Sequence, residues 1–154
     1  MHEIIGNNVL YNGKIIPSDQ FTPFFREGFS VYEVIRVEQG IAIFLEAHLK
    51  RLFQTIRLEK LEIAESAQEI RAFLKQLLEA NPFQKGKVKL VFHYPGEKDQ
   101  GSYNFLFYFT DFAFPGDKQY LAGVRMGICK AVRTDPNAKV LNTEARRVAD
   151  QKLS

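Results

Sequence analysis

The chemically informative residues are a lysine near the carboxyl end of the chain and an arginine in its first half. Lys139 lies in residues 133–142, RTDPNAKVLN, and Arg51 lies in residues 48–52, HLKRL. A neutral lysine amine attacks carbonyl carbons, and a guanidinium binds a phosphate through two parallel hydrogen bonds. By residue type alone, both are ordinary solvated surface charges, because lysine and arginine are rarely buried. The surrounding elements must decide between these interpretations.

Composition favours one globular domain without a nucleic-acid surface. Of 154 residues, 45% are apolar and 25% are charged, which is typical of a domain that buries a core. The net charge is +3, but basic and acidic residues are interspersed along most of the chain. The densest basic stretch, Lys85, Lys87 and Lys89, favours a solvated strand face over an anion site. We therefore predict no nucleic-acid partner.

The sequence indicates neither export nor metal binding. The amino terminus lacks the basic start and apolar core of a signal peptide, and no apolar run approaches the ~20 residues that span a bilayer. These features predict a cytoplasmic protein without a membrane segment. The lone Cys129 has no disulfide partner and no metal-ligand companion at short spacing. It is interpreted as a small buried side chain in a strand.

Hairpin, helix and strand patterns follow one another along the chain. Asn12-Gly13 supplies the two positive-φ residues of a type I′ turn, and Ser66 with Glu69 forms a capping box at a helix start. The run 103–109 is apolar on both faces and predicts a central strand covered on each side. The order predicts an α+β domain, with two helices on one face of a mostly antiparallel sheet. The predicted elements are strands 9–11, 14–16, 31–37 and 41–44, a helix from 45, a helix between 66 and 81, and strands 87–94, 103–110 and 121–130.

Four short segments carry a family resemblance. They are GFSVYEVIRV at 28–37, the turn residue Gly40, HLKRL at 48–52 and KVLN from Lys139. In this order and spacing the chain resembles the class IV, or fold type IV, pyridoxal-phosphate enzymes, over nearly its whole length from about Leu10. That family includes branched-chain aminotransferases, D-amino acid aminotransferases and aminodeoxychorismate lyases.

The resemblance implies pyridoxal 5′-phosphate as the cofactor and roles for five residues. Lys139 matches the catalytic lysine that forms a Schiff base with the cofactor, and Arg51 matches the arginine that binds its phosphate. Tyr32, Glu33 and Lys89 match or lie near substrate-binding positions. Tyr32 and Glu33 are neighbours on a strand, so their side chains are expected on opposite faces. Lysine at position 89 keeps the charge of the family's arginine but loses its planar fork.

Other positions bear on domain organisation and specificity. By resemblance, residues 1–138 form an amino-terminal domain, and residues 139–154 begin the connection to a carboxyl-terminal domain absent from this chain. Glu27 replaces the aromatic residue that commonly precedes the strand glycine, so the branched-chain substrate pocket is not fully matched. His48 opens the helix signature and is interpreted as structural.

The resulting hypothesis is an aminotransferase that moves an amino group between an amino acid and a 2-oxo acid. One alternative is an aminodeoxychorismate lyase, which shares the lysine chemistry but ends in elimination of pyruvate. Another is a noncatalytic remnant or fragment. The resemblance also implies a homodimer, and no metal ion is expected.

Overall fold

The computed structural model describes residues 4–21, 28–83, 85–96, 102–111, 115–128, 130–133, 135–141 and 143–153. Cys129, Glu27 and Asn142, on which parts of the sequence interpretation depend, lie outside the described residues. The regular elements in the described part are β1 (Ile4–Tyr11), β2 (Lys14–Pro17), β3 (Phe29–Glu38), β4 (Ile41–Ala42), α1 (Leu45–Leu58), α2 (Ala67–Ala80), β5 (Lys85–Tyr94), β6 (Asn104–Thr110), α3 (Asp117–Ala122) and α4 (Glu144–Leu153).

The strands form one sheet in the order β2-β1-β6-β5-β3-β4, and each neighbouring pair is antiparallel. The apolar sides of α1 and α2 pack on one face of this sheet through Leu52, Ile56 and Leu74. The predicted α+β architecture, with two helices on one face of an antiparallel sheet, is therefore confirmed.

Local sequence signals account for most element boundaries. Asn12 and Gly13 have φ values of 45° and 78°, as the type I′ hairpin requires. Ser66 Oγ accepts from the Glu69 amide, and the Glu69 side chain accepts from the Ser66 amide, which completes the predicted capping box. Strand β4 is shorter than predicted, because the chain turns into α1 through Phe44 at φ 53°.

Strand β6 is central and buried on both faces, as its sequence predicts. Phe105, Phe107 and Phe109 face the helices. Leu106 and Tyr108 point to the other face, where they pack in a second apolar cluster. The buried residues of β5 likewise belong to both clusters, with Leu90 and Phe92 on the helix side and Val91 on the other.

The strand predicted at 121–130 is wrong for the residues that the structure describes. Leu121 belongs to the last turn of helix α3, and residues 123–128 and 130 have no regular structure. The alternation of Val124, Met126 and Ile128 is strand-like, but no neighbouring strand pairs with it, and these side chains are 62% to 99% exposed. A strand needs a partner for its backbone hydrogen bonds, so the pattern alone does not form one. Among the described residues, no helix has the length and apolarity to cross a membrane.

Candidate active site

The lysine segment lies along the open edge of β3. Strand β4 pairs only with Val37 and Glu38, which leaves the first half of β3 without a partner on that side. Residues 139–141 occupy this edge: the Tyr32 amide donates to the Lys139 carbonyl oxygen at 3.1 Å, and the Leu141 amide donates to the Ser30 carbonyl oxygen at 2.9 Å. Backbone hydrogen bonds therefore place Lys139 beside the strand that carries Tyr32 and Glu33.

Three further hydrogen bonds hold the backbone at Lys139 and at Ala138 before it. Its amide donates to Thr55 Oγ1 at 3.2 Å, and Thr55 is buried on α1. Immediately before it, Arg133 Nη2 donates to the Ala138 carbonyl oxygen at 2.6 Å, and the Asp135 carboxylate accepts from the Ala138 amide at 3.3 Å. The lysine is thus anchored to both the sheet and the helix layer.

Glu33 lies fully buried on the helix-facing side of β3 and is shared by three basic side chains. Arg51 donates from Nε to Oε1 at 2.7 Å and from Nη2 to Oε2 at 2.6 Å. His48 Nδ1 is 2.9 Å from Oε2, and Lys139 Nζ is 3.9 Å from the same oxygen. This arrangement joins the arginine and the lysine that the sequence singled out.

The charges around Glu33 shift its pKa and that of Lys139. Burial alone raises the pKa of Glu33, but hydrogen bonds from Arg51 and His48 and the charge of Lys139 outweigh it and hold the pKa below its ordinary value. Burial lowers the pKa of Lys139; Glu33 opposes this, while Arg51 and Arg133 add to it. The net effect favours a neutral, nucleophilic amine relative to a solvated lysine.

Tyr32 lies on the opposite face of β3, as strand alternation predicts, and two ammonium groups approach its ring. Lys139 Nζ is 5.2 Å and Lys89 Nζ is 5.1 Å from the ring centroid, within cation–π range. Lys89 is only 6% exposed, and burial, followed by the charges of Arg146 and Lys139, lowers its pKa to about 8. The prediction that the lysines of β5 form a solvated face therefore fails at Lys89.

A cleft of about 570 Å³ opens next to these residues. Tyr32, Arg51 and Lys139 line it, and Arg133 and Arg146 add positive charge to its wall. Glu33 and Lys89 are not on the lining but lie behind it, against the residues that are. The five predicted site residues thus lie close together, three on the cleft wall and two directly behind it.

Three residues at this site were not predicted from the sequence. Thr55 is a polar residue among the buried positions of α1, which are otherwise apolar (Leu49, Leu52 and Ile56), and the sequence itself contains this irregularity. Arg133 and Arg146 carry no comparable signal. Tertiary structure brings both arginines to the cleft, and Arg146 lies on α4.

Comparison with known proteins shows the family of this chain. The family described as amino-transferase class IV matches residues 30–153. The chain therefore belongs to the class IV amino-transferases. The match covers both the β3 segment and the lysine segment.

Individual relatives are more distant. The D-alanine aminotransferase of Bacillus licheniformis is 29% identical over 87 residues, which are 53% of this chain and 31% of that protein. The branched-chain amino acid aminotransferase of Escherichia coli superposes with a TM-score of 0.60 at 13% identity, over 70% of this chain and 42% of that one. The branched-chain aminotransferase of the thermophilic archaeon Thermoproteus uzoniensis, solved with norvaline, superposes with a TM-score of 0.60 at 16% identity, over 70% of this chain and 41% of that one. The structural matches show a shared fold, and the chain spans less than half the length of each of these proteins.

Proposed function

We propose that this chain is the amino-terminal part of a pyridoxal-phosphate-dependent aminotransferase, which moves an amino group between an amino acid and a 2-oxo acid. The observation that carries the proposal is the approach of Lys139 and Arg51 to one cleft, with the Glu33 carboxylate between them. Family membership supports the same reaction class. A branched-chain amino acid aminotransferase with the same fold, at a TM-score of 0.64, was solved with pyridoxamine 5′-phosphate, which supports the choice of cofactor.

The residues present fit the cofactor. The cleft of about 570 Å³ lies within the ~300–1,000 Å³ typical of small-molecule sites. The side chains of Lys139 and Arg51 are 27% and 45% exposed, so an aldehyde and a phosphate can reach them from the cleft. Arg51 uses Nε and Nη2 on Glu33 and keeps Nη1 for an anion.

Each residue has a distinct task in this proposal. Arg51 binds the phosphate, while the Lys139 amine holds the aldehyde end and moves a proton at the substrate α-carbon. When bound, the cofactor supplies an electron sink for the negative charge that develops at that carbon. Tyr32 and Lys89 serve the substrate end, where the ammonium of Lys89 attracts a carboxylate. Glu33 lies behind the cleft wall and contacts Arg51 and Lys139, so it supports the cofactor end.

The organisation of the whole protein is part of the proposal. Residues 1–138 form the amino-terminal domain, and residues 139–154 begin the connection to a second domain, in line with the partial coverage of the relatives. We also propose that the protein works in the cytoplasm as a homodimer. Sedimentation of the purified chain over a range of concentrations tests the dimer, which a purely monomeric profile would exclude.

The decisive experiment adds pyridoxal 5′-phosphate to the purified chain. We expect an absorbance band near the edge of the visible range, and after borohydride reduction a label at Lys139. The Lys139→Ala variant should show neither, while the Lys87→Ala variant, altered on an outer part of β5, should show both. Absence of band and label from the unmodified chain would contradict the proposal for these residues and favour a noncatalytic remnant. Amino transfer to 2-oxoglutarate, measured against pyruvate release from aminodeoxychorismate, separates the transferase from the lyase.

A further inference from the structure

We propose that Glu33 is a positioning residue that couples the two ends of the cofactor site: its one carboxylate orients Arg51 toward the phosphate and holds the protonated form of Lys139. This inference rests on the proposed function, because it assigns Arg51 and Lys139 to the cofactor. It gives Glu33 a role without contact to substrate.

The geometry at Arg51 supports the first half of this role. Both oxygens of Glu33 receive donors from the same guanidinium, at 2.7 and 2.6 Å, which fixes its plane as well as its place. Glu33 is fully buried, whereas the Arg51 side chain is 45% exposed on the cleft. A rigid anchor in the protein interior therefore holds a donor group that faces a ligand, which is how a site is kept preorganised.

The geometry at Lys139 supports the second half. Its Nζ lies 3.9 Å from Glu33 Oε2, too far for a strong hydrogen bond but close enough for electrostatic attraction. The negative charge favours the ammonium form and opposes the burial that favours the neutral amine. The reactivity of Lys139 therefore depends on a group that also determines the orientation of Arg51.

Both carboxylate oxygens of Glu33 already face basic groups of the protein, which argues against direct contact with a substrate. Oε2 already faces Arg51, His48 and Lys139, and Oε1 accepts from Arg51. The side chain is on the helix-facing side of β3, behind the residues that line the cleft. Its effect on chemistry must pass through these neighbours.

The Glu33→Gln substitution tests the inference, since it should speed the reaction of Lys139 with an aldehyde and weaken the preference for a phosphorylated aldehyde. With phosphate-free pyridoxal, Nζ attacks the aldehyde carbon, the carbonyl oxygen leaves as water with two protons, and a C=N bond remains. Loss of the carboxylate lowers the pKa of Lys139 and so raises the fraction of neutral amine, and this step at pH 7 should become about tenfold faster. At the same time, the affinity advantage of pyridoxal 5′-phosphate over pyridoxal should fall about tenfold, because Arg51 loses its anchor.

Three variants separate this role from a general structural one. Arg51→Gln should also lose the phosphate advantage, but it removes a cation and should raise the pKa of Lys139, so capture of pyridoxal slows. Glu33→Asp keeps the charge, so its pH midpoint for pyridoxal capture should lie between those of the wild type and Glu33→Gln. Glu38→Gln is the matched control, since Glu38 is on the same strand but pairs with Arg36 and Lys85 on the surface.

The first readout is the pH midpoint of pyridoxal capture, measured by borohydride trapping and mass mapping at Lys139. The second is the affinity for pyridoxal and for pyridoxal 5′-phosphate, measured by equilibrium titration. Faster capture together with a reduced phosphate advantage in Glu33→Gln supports the inference. An unmoved or raised midpoint, or an unchanged phosphate advantage, overturns it. If Glu33→Gln does not fold, Glu33→Asp decides: its midpoint must move in the same direction by a smaller amount. Failure of the unmodified chain to capture either aldehyde at Lys139 would instead contradict the proposed function.

Discussion

The amide of Tyr32 donates to the carbonyl oxygen of Lys139 at 3.1 Å, so these residues are sheet neighbours although most of the chain separates them. The same pairing brings the Lys139 ammonium to 5.2 Å from the Tyr32 ring centroid, opposite Glu33 on the other face of β3. One strand thereby supplies an aromatic ring and a carboxylate to the same lysine.

The Tyr32 ring should stabilise the buried ammonium of Lys89. In Tyr32→Leu, loss of a cation–π contact of about 0.5–2 kcal/mol should lower the pKa of Lys89 further below its value of about 8. Tyr32→Phe keeps the ring and should leave that pKa unchanged. Side-chain nitrogen NMR of labelled lysines across a pH series measures both. Equal midpoints for Lys89 in the leucine and phenylalanine variants would contradict the cation–π assignment.

Thr55 should be the helix anchor for the lysine segment. Thr55→Val removes the hydroxyl that accepts from the Lys139 amide at 3.2 Å while keeping the side-chain shape. We expect a loss of about 1–2 kcal/mol in the free energy of unfolding, as for a buried donor left without its acceptor. Hydrogen exchange at the Lys139 amide should accelerate in Thr55→Val and stay slow in Thr55→Ser. No change in exchange for the valine variant would show that the contact does not hold the segment.

Gly28 should be required at the start of β3. Its φ is +95°, and a Cβ there would collide with the carbonyl oxygen of Tyr94 on the paired strand β5. Gly28→Ala should therefore cost more than the ~1 kcal/mol of a positive φ alone, because backbone must also move. Gly40→Ala is the matched control, since its φ is +72° and no atom lies within 4 Å of the added carbon. Urea unfolding of both variants tests this, and equal losses would contradict the steric argument.

Lys89 should make stability depend on pH in the alkaline range. Its side chain faces Tyr32 of β3, Tyr108 of β6, Lys139 and Arg146 of α4, and its pKa is about 8 in the folded state against an ordinary value of 10.5. Between these values the unfolded chain binds more protons, so the free energy of unfolding rises with pH, by about 3 kcal/mol at most. Burial raises the pKa of Tyr108 to about 12, so this tyrosine acts in the opposite sense only above about pH 10.

Comparison with Lys89→Met isolates this contribution. The difference between wild type and variant in urea unfolding should change from pH 7 to pH 10, with the wild type gaining stability relative to the variant. The Lys87→Met variant, two residues away on the same strand face, serves as the control. A constant difference across the pH series would rule out the burial of a charged Lys89.

Local sequence was sufficient for the features that depend on neighbouring residues. The Asn12-Gly13 turn, the Ser66 and Glu69 capping box and the two-faced strand β6 were predicted correctly, because turn chemistry, capping and side-chain alternation act over a few residues. The segment from 121 to 130 has the same kind of alternation, and the prediction fails there because a strand also requires a partner that the local sequence does not specify.

The order and spacing of a few short sequence segments were enough to predict the class of this protein, and the family match over residues 30–153 confirms that class. How Lys139, Arg51 and the residues of β3 meet could be seen only in the folded domain. The open edge of β3 receives residues 139–141, and the buried carboxylate of Glu33 then lies between the basic groups of Arg51 and Lys139. Contacts between residues distant in sequence depend on which strand edges and helix faces remain unoccupied after folding, and that is a property of the whole packed domain.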